Sequence, residues 1–145
     1  MNNNIEIKFK KLHEDAILPS KAHDTDTGYD LYCVSDTIIE PGQSAVVPVG
    51  LQVAYVTPGY WYLVLPKSGL GFKHHLQPHL GVIDQSYTGS LDVKMYNFGT
   101  IPYRFSVGNR VAQVAFFPVI SPQVSWSDTI TQTDRGSNGF GSSGV

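Results

Sequence analysis

Glycine and proline interrupt this sequence so regularly that few stretches could hold a helix of average length. The chain of 145 residues contains 14 glycines and nine prolines. Turn-forming positions recur at intervals typical of sandwiches and barrels. They are Pro41-Gly42, Pro58-Gly59, Gly71, Gly89, Gly99 and Gly108-Asn109. The spacing predicts an all-β fold, a jelly-roll-like β-barrel built from short strands.

Three stretches carry the hydrophobic pattern of strands. In residues 91–98, Leu91, Val93 and Met95 alternate with more polar residues, which is typical of a half-buried strand. Residues 60–65 and 111–117 are nearly continuous apolar or aromatic runs, as expected for strands covered on both faces. We expect these two runs to form the core.

Length and charge narrow the possible classes of protein. A chain of 145 residues fits one domain, and 41% hydrophobic against 15% charged residues is too apolar for a disordered chain. The formal net charge of -2 provides no basic field for a nucleic-acid backbone. We therefore expect a folded single domain that binds no nucleic-acid polymer.

Cysteine and histidine usage gives further expectations. Cys33 is the one cysteine of the sequence and cannot form an internal disulfide, so a buried, small apolar role is favoured. His74, His75 and His79 are close in sequence, but no HExxH and no cysteine pair completes a zinc site.

The amino terminus has no signal peptide or membrane span, so we expect a cytoplasmic protein without a membrane partner. Whether a virus, a phage or a cell encodes it stays open.

The carboxyl end differs in composition from the rest of the chain. From Arg135 the sequence is glycine- and serine-rich and carries a single aromatic residue, Phe140. Composition alone favours a flexible tail. The predicted organisation is one β-barrel domain over residues 1–134, followed by a flexible glycine-rich arm over residues 135–145.

One carboxylate lies where a predicted strand enters a turn. Asp84 follows Val82 and Ile83, and the segment ends at Gly89. Taken alone, such an aspartate more often forms a turn than performs chemistry, because its side chain accepts hydrogen bonds from nearby amides. Tyr87, taken alone, is more often a packing residue.

Two other segments offer groups that could bind phosphate. Pro66-Lys67-Ser68-Gly69-Leu70 supplies a cation, a hydroxyl and a glycine amide, although a simple loop with a solvated lysine has the same composition. The sequence has no GxxxxGK[ST], so it is not a P-loop. In the predicted strand after Gly108, Gln113 points opposite Ala112 and Val114 and needs a partner, either a backbone group or a phosphate oxygen.

Together these segments resemble the five ordered motifs of the trimeric dUTPase family, over the chain from about Lys21 to its end. The third motif is similar to residues 81–89, with Asn97 closing its second strand. The other four resemble Thr27-Gly28-Tyr29-Asp30-Leu31, Pro66-Lys67-Ser68-Gly69-Leu70, Gly108-Asn109-Arg110-Val111-Ala112-Gln113 and residues 135–144.

The resemblance implies a homotrimer that hydrolyses dUTP to dUMP and pyrophosphate, which keeps uracil out of DNA and supplies dUMP for thymidylate synthesis. Its active sites would lie at subunit boundaries, each closed by the glycine-rich tail of a neighbouring subunit. Asp84 would deprotonate the water that attacks the α-phosphorus. Asp30 would hold the cofactor, Mg²⁺, through water, and the ion would offset charge on the leaving group.

The same resemblance implies the substrate contacts. Side chains and amides would donate to the phosphates, and a hairpin over residues 79–87 would read the base edge through its backbone. Phe140 would stack on uracil, and Tyr87 would lie under the sugar and exclude a 2′-hydroxyl. The implied substrate-binding residues are Lys67, Ser68, Gly69, Gly81, Val82, Ile83, Tyr87, Asn97, Gln113, Arg135, Phe140, Gly141 and Ser142.

Four positions depart from the common family pattern. Lys67 stands where most members carry arginine, which keeps the charge and loses the planar fork. Ser86 replaces a frequent aspartate and Thr27 a frequent alanine. Pro78 stands where many bacterial members have a uracil-contacting asparagine, so base contacts there are assigned to backbone atoms.

Two other functions stay open on the sequence. A dCTP deaminase shares the barrel, but it carries a glutamate base at the position of Lys94, and a protonated lysine cannot accept a proton. A binding module of the same fold could recruit a regulatory protein partner. Such a module would have no need of both Asp30 and Asp84 in motif context.

Overall fold

A computed structural model describes residues 4–144, and these form ten β-strands and one short α-helix. The elements are β1 (Ile7–Lys11), β2 (Tyr29–Tyr32), β3 (Thr37–Ile39), β4 (Ser44–Val56), β5 (Tyr60–Leu65), α1 (Ser68–His74), β6 (Leu76–Pro78), β7 (Gly81–Ile83), β8 (Ser90–Asn97), β9 (Tyr103–Phe105) and β10 (Arg110–Pro118). The all-β prediction is confirmed.

The strands pair into three antiparallel sheets. The first has the order β1-β4-β8-β6, the second β2-β10-β5-β7, and β3 pairs with β9. Because strands distant in sequence are neighbours in both larger sheets, the connections cross between them as in a jelly roll. The jelly-roll-like fold is therefore also confirmed.

The core lies between the inner faces of the two four-stranded sheets. Alternate residues of β4 and β8, among them Val47, Val49 and Val93, pack against residues of the second sheet such as Tyr62 and Val114. The alternation predicted for residues 91–98 is observed, since Leu91, Val93 and Met95 are buried and Asp92 and Lys94 are exposed. Period-two burial of this kind supplies the main stabilisation of a β-sandwich.

The predicted core strands are also found. β5 spans residues 60–65, and β10 extends the predicted run by one residue at each end. Cys33 is fully buried, as expected, and its thiol donates to the carbonyl of Ser106 at 2.7 Å. Burial raises the pKa of the Cys33 thiol.

Two local predictions are wrong. Gly71 lies inside α1 rather than in a turn. The segment of residues 79–87 is not a hairpin of two mutually paired strands, because it contains one strand, β7, and that strand pairs with β5. The chain crosses from one sheet to the other between Pro78 and Gly81.

The carboxyl-terminal part lies outside the sheets. The last strand ends at Pro118, and residues 119–144 contain neither helix nor strand. The predicted boundary at residue 134 is therefore not marked by an element. α1, the one helix among residues 4–144, is too short and polar to cross a membrane.

Candidate active site

The register of the second sheet brings three motifs to one end of the fold. On β10, Gln113 lies opposite Asp30 of β2 on one side and opposite Leu65 of β5 on the other. Lys67 and Ser68 follow Leu65 directly. We call this group, made of Asp30, Lys67, Ser68, Arg110 and Gln113, the phosphate cluster.

Asp30 is a buried carboxylate held by two cations. One carboxylate oxygen, Oδ1, lies 2.5 Å from Nζ of Lys67, and the other, Oδ2, accepts a hydrogen bond from Nε of Arg110 at 3.0 Å. The backbone N–H of Asp30 donates to the carbonyl of Ser20 at 2.8 Å. A carboxylate with 6% of its side chain exposed needs such partners, because an unpaired buried charge is costly.

Gln113 uses a backbone partner. Its Nε2 donates to the carbonyl of Pro66 at 2.9 Å, which is the structural alternative considered for this residue. Gly28 packs against the same side chain so closely that an added Cβ would lie 2.0 Å from Oε1 of Gln113. Glycine at position 28 therefore leaves the space in which the glutamine amide is held.

Lys67, Ser68 and Gly69 lie at the start of α1 rather than in a loop. Lys67 is the N-cap residue with an extended backbone, and its side chain makes no capping hydrogen bond. An open cleft of about 360 Å³ beside these residues is lined by Pro66, Lys67, Ser68, Gly71, Phe72 and Gln77. The Lys67 ammonium therefore lies between the buried Asp30 and an accessible cleft.

Asp84 lies beyond the end of β7 at the edge of the second sheet. Asp84 is exposed, and within residues 4–144 its carboxylate makes no hydrogen bond or ion pair. Its carbonyl accepts from the N–H of Tyr87 at 3.1 Å, so the backbone of Asp84 forms the turn while the carboxylate stays available. Gln85 anchors this turn, since its Oε1 accepts from the N–H of Gly59 at 2.5 Å.

Tyr87 packs over the end of the same turn. Its phenol donates to the carbonyl of Ser90 at 2.7 Å, and an added Cβ at Gly89 would lie 2.4 Å from that phenol oxygen. The nearby phenol of Tyr62 is buried with no hydrogen-bond partner within residues 4–144. Burial, and to a lesser extent Tyr87, raises the pKa of Tyr62, so this phenol stays neutral. We call Gly81, Val82, Ile83, Asp84 and Tyr87 the β7 cluster.

The phosphate cluster and the β7 cluster are far apart in one chain. Ile83 pairs with Tyr62, so Asp84 is level with Trp61, four residues along β5 from Leu65. Four residues of strand span about 13 Å, and two strand spacings add about 10 Å across the sheet. Asp84 and Gln113 are therefore separated by more than about 15 Å within one chain.

Asn97, which the family resemblance assigns to substrate binding, has its side chain inside the fold. Asn97 is buried, and its side-chain N–H groups donate to the carbonyls of Ile39 at 2.9 Å and Ile101 at 2.8 Å. Its Oδ1 accepts from the N–H of Gly99 at 2.9 Å. Both donor hydrogens of the side-chain amide are used within the fold, so this side chain stabilises the loop after β8.

The predicted tail residues are exposed. Phe140 is fully exposed, and Nε of Arg135 donates to the carbonyl of Asn138 at 2.7 Å. The amide of Ser142 donates to the carbonyl of Gly139 at 3.2 Å, and Gly141 has a φ of 90°, which favours glycine. Within residues 4–144, none of these tail residues is hydrogen-bonded to either cluster.

Asp30 is the side chain best suited to hold a divalent cation. No group of three or more histidine, cysteine or acidic side chains that could hold a metal occurs in residues 4–144, so an all-protein metal cage is absent there. Mg²⁺ is usually bound through one or two carboxylates together with substrate phosphates and water. A single carboxylate beside an open cleft fits that donor set.

Sequence reasoning missed Arg110 as a site residue. A register shift between Arg110 and Ala112 changes the phase of β10, so Arg110 and Gln113 both lie on the side of Asp30. Strict alternation would have placed them on opposite faces. The guanidinium of Arg110 also lies over the ring of Tyr32, 5.6 Å from its centroid.

Comparison with known proteins gives consistent results. A family model described as dUTPase matches residues 14–144. A protein of Solanum lycopersicum named deoxyuridine 5′-triphosphate nucleotidohydrolase is 37% identical over 145 residues, covering 99% of this chain and 85% of its own. A Shewanella pealeana protein of the same name is 36% identical, covering 100% and 99%.

A solved structure gives the same result. The dUTPase of Staphylococcus bacteriophage 80alpha with dUPNHPP aligns with a TM-score of 0.88 and 28% identity, over 97% of this chain and 99% of its own. That structure is described with the statement that phage dUTPases control transfer of virulence genes by a proto-oncogenic G protein-like mechanism. The fold, the motifs and the relatives together define an all-β hydrolase. The chain belongs to the dUTPase family.

Proposed function

We propose that this protein hydrolyses dUTP to dUMP and pyrophosphate in active sites shared between the subunits of a homotrimer. The observation that carries the proposal is the separation of the two clusters, by more than about 15 Å in one chain. A base that activates water for attack on the α-phosphorus must lie within hydrogen-bond reach of that water. Asp84 of one subunit therefore acts beside the phosphate cluster of another, and closed symmetry repeats this contact.

The exposed tail supports exchange of segments between subunits. Val124, Trp126, Ile130 and Phe140 are 89%, 102%, 95% and 114% exposed, although large apolar side chains are normally covered. From Pro118 to Arg135 the chain can extend over about 55 Å, enough to reach a second subunit. In the trimer these side chains are covered by neighbours, and Arg135 and Phe140 close a neighbour's site over its nucleotide.

In the shared site, each group of side chains has a distinct task. Asp84 accepts the proton of the attacking water, which its exposed and unpaired carboxylate is suited to do. Ser68, Gln113 and Arg135 donate to phosphate oxygens, together with the Lys67 ammonium and the amides of Gly69, Gly141 and Ser142. Donors that are already oriented stabilise the charge that grows on the leaving pyrophosphate.

The phosphate cluster fits a magnesium-bound triphosphate. Asp30 would hold the ion through water, and Mg²⁺ supplies charge neutralisation on the triphosphate when it is bound. Lys67, Arg110 and Asp30 together carry one net positive charge, which favours an anionic ligand at the mouth of the cleft. Gly28 keeps Gln113 in place beside that cluster.

The β7 cluster supplies selectivity for the nucleoside. β7 is an edge strand, so the N–H and C=O groups of Gly81, Val82 and Ile83 that face away from β5 are available to a base edge. Backbone groups cannot rotate to accept a cytosine edge, and a tight wall at carbon 5 rejects thymine. Tyr87 under the sugar excludes a 2′-hydroxyl, and Phe140 stacks on the base.

The reaction is tested by measuring pyrophosphate release from dUTP, dCTP, dTTP and UTP in Mg²⁺. We expect rapid release from dUTP alone, since base and sugar are both selected. Comparable rates with dTTP or UTP would contradict the selectivity assigned to the β7 cluster. No release from dUTP would refute the proposed activity.

The deaminase alternative is disfavoured by the environment of Lys94. Its Nζ lies over the ring of Tyr96, 5.7 Å from the centroid, where a cation is stabilised. A protonated amine at this position cannot serve as the base that a deamination requires. Ammonia release from dCTP, measured in the same reactions, would reverse this ranking.

A second, regulatory role is favoured by the description of the 80alpha dUTPase, which is similar to this chain over almost all of its length. In this role a protein partner would bind the same fold, and binding would depend on the nucleotide that orders the tail. The test is a pull-down with and without the nonhydrolysable analogue. A partner captured equally in both conditions would contradict nucleotide control.

A further inference from the structure

Both carboxylate oxygens of Asp30 are paired with cations of the phosphate cluster. Oδ1 lies 2.5 Å from the Lys67 ammonium, and Oδ2 lies 3.0 Å from Nε of Arg110. The carboxylate side chain is only 6% exposed. Each oxygen of this buried carboxylate therefore already has a cationic partner.

The two cations differ in their contacts other than Asp30. Arg110 lies over the ring of Tyr32, and the Tyr32 phenol is itself hydrogen-bonded to Ser20 at 2.8 Å. Lys67 has the ion pair with Asp30 as its only side-chain hydrogen bond within residues 4–144, and it also lines the open cleft. A lysine ammonium on a flexible four-carbon stem can move between partners, whereas a stacked guanidinium is fixed in direction.

Lys67 and a metal ion compete for the same carboxylate oxygen. A hydrated divalent cation beside this oxygen would be repelled by the nearby ammonium, and the repulsion is stronger in a buried site than in water. An incoming triphosphate offers the ammonium a new anionic partner in the adjoining cleft. Release of the Lys67 ammonium from Oδ1 and binding of the metal ion are therefore coupled.

We propose that Lys67 occupies, in the free protein, the position beside Asp30 that a hydrated divalent cation takes when nucleotide binds. This inference rests on the proposed function and deepens it, because it makes metal binding dependent on the triphosphate. Arg110 stays on Oδ2 throughout and keeps the carboxylate oriented. The site thereby binds the metal–nucleotide complex in preference to the free metal ion.

The test uses Mn²⁺ as the probe and the nucleotide-free protein. Water-proton relaxation measures Mn²⁺ affinity for the wild type, Lys67→Met and Lys21→Met. Lys21 is the matched control, because its ammonium lies over the ring of Tyr29, 4.8 Å from the centroid, and not on Asp30. We expect Lys67→Met to bind Mn²⁺ about tenfold more tightly than the wild type. Lys21→Met should change the Mn²⁺ affinity by less than about twofold.

Adding Asp30→Asn to Lys67→Met should abolish the gain, because the freed carboxylate is then absent. An unchanged affinity in Lys67→Met, an equal gain in Lys21→Met, or a gain that survives Asp30→Asn would each overturn the exchange. Circular dichroism and sizing confirm that each variant is folded.

A second measurement needs no variant. In a crystal structure of the wild type with a nonhydrolysable dUTP analogue and Mg²⁺, Nζ of Lys67 should contact a phosphate oxygen and leave Oδ1 of Asp30. An ammonium still within hydrogen-bond distance of Oδ1 would refute the proposal. Mn²⁺ binding requires no hydrolysis, so a protein inactive on dUTP that shows the Lys67→Met gain would refute the function and keep the exchange.

Discussion

Gly28→Ala adds one methyl group at a position where the structure has no space for it. The new Cβ would lie 2.0 Å from Oε1, 2.7 Å from Cδ and 3.1 Å from Cβ of Gln113. Gln113 must therefore swing away and lose its hydrogen bond to Pro66, which is 2.9 Å long. Overpacking costs about 1–3 kcal/mol, and the lost hydrogen bond about 0.5–1.5 kcal/mol.

The expected destabilisation of Gly28→Ala is thus about 1.5–4.5 kcal/mol, a fall in melting temperature of roughly 5–15 °C for a domain of this size. The dUTP hydrolysis rate should fall by about 10²-fold, because the displaced amide no longer meets the phosphates. Thermal unfolding at fixed protein concentration and pyrophosphate release measure the two effects. Gly69→Ala, where an added Cβ meets nothing within 4 Å, is the control for stability alone and should not be destabilised.

A double-mutant cycle with Gln113→Ala isolates the clash. Gln113→Ala removes Oε1 and Cδ, the two atoms nearest to the methyl group added by Gly28→Ala, and leaves the Cβ at position 113, which lies 3.1 Å away. In that background Gly28→Ala should therefore cost at least about 1 kcal/mol less than in the wild type. Additive costs in the cycle would refute the claim that Gly28 is required by the Gln113 side chain.

The remaining predictions concern the base, the tail and the buried carboxylate. Asp84→Asn should lower kcat by about 10²–10⁴-fold while analogue binding is retained, and normal turnover would remove Asp84 from the catalytic role. Deleting residues 135–145 should leave the melting temperature unchanged and cripple pyrophosphate release, because these residues contact ligand rather than core; an unaffected rate would contradict that assignment. Arg110→Met should destabilise the fold by about 1.5–3 kcal/mol in urea unfolding, since the buried Asp30 loses one of its charge-assisted hydrogen bonds. The matched Arg104→Met, which breaks an exposed ion pair, should cost no more than about 1 kcal/mol, and equal costs would contradict the role of burial.

The hydrophobic pattern of the sequence predicted the long strands correctly, but it did not predict the local connections between them. Residues 60–65 form β5 as predicted, and the strand predicted over residues 91–98 is shifted by one position from β8. Both could be found because a strand buried on one face alternates apolar and polar residues, and a strand buried on both faces is a continuous apolar run. α1 was missed, since Gly69 and Gly71 have low helix propensity and no residue of this helix is buried. A helix with no buried residue leaves no hydrophobic period to detect.

The candidate site was predicted in its residues and not in its contacts. The motifs identified Asp30, Gln113 and Asp84, but the ion pair of Asp30 with Arg110 depends on the register shift in β10, which alternation cannot detect. The hydrogen bonds of Asn97 to Ile39 and Ile101 could not be predicted, because a motif carries no information about which buried carbonyls surround a side chain. The separation of the two clusters likewise depends on strand order, which only the folded chain reveals.

The measurement that tests the shared site most directly is complementation between two inactive variants. Asp84→Asn removes the base, and Ser68→Glu places a negative charge at an exposed position of the phosphate cluster. The two chains are co-expressed with different tags, and assemblies that contain both are purified. If each site combines Asp84 of one subunit with Ser68 of another, about a third of the sites in mixed trimers regain both intact residues and dUTP hydrolysis returns. Mixed assemblies as inactive as either variant alone would contradict a site built from two chains.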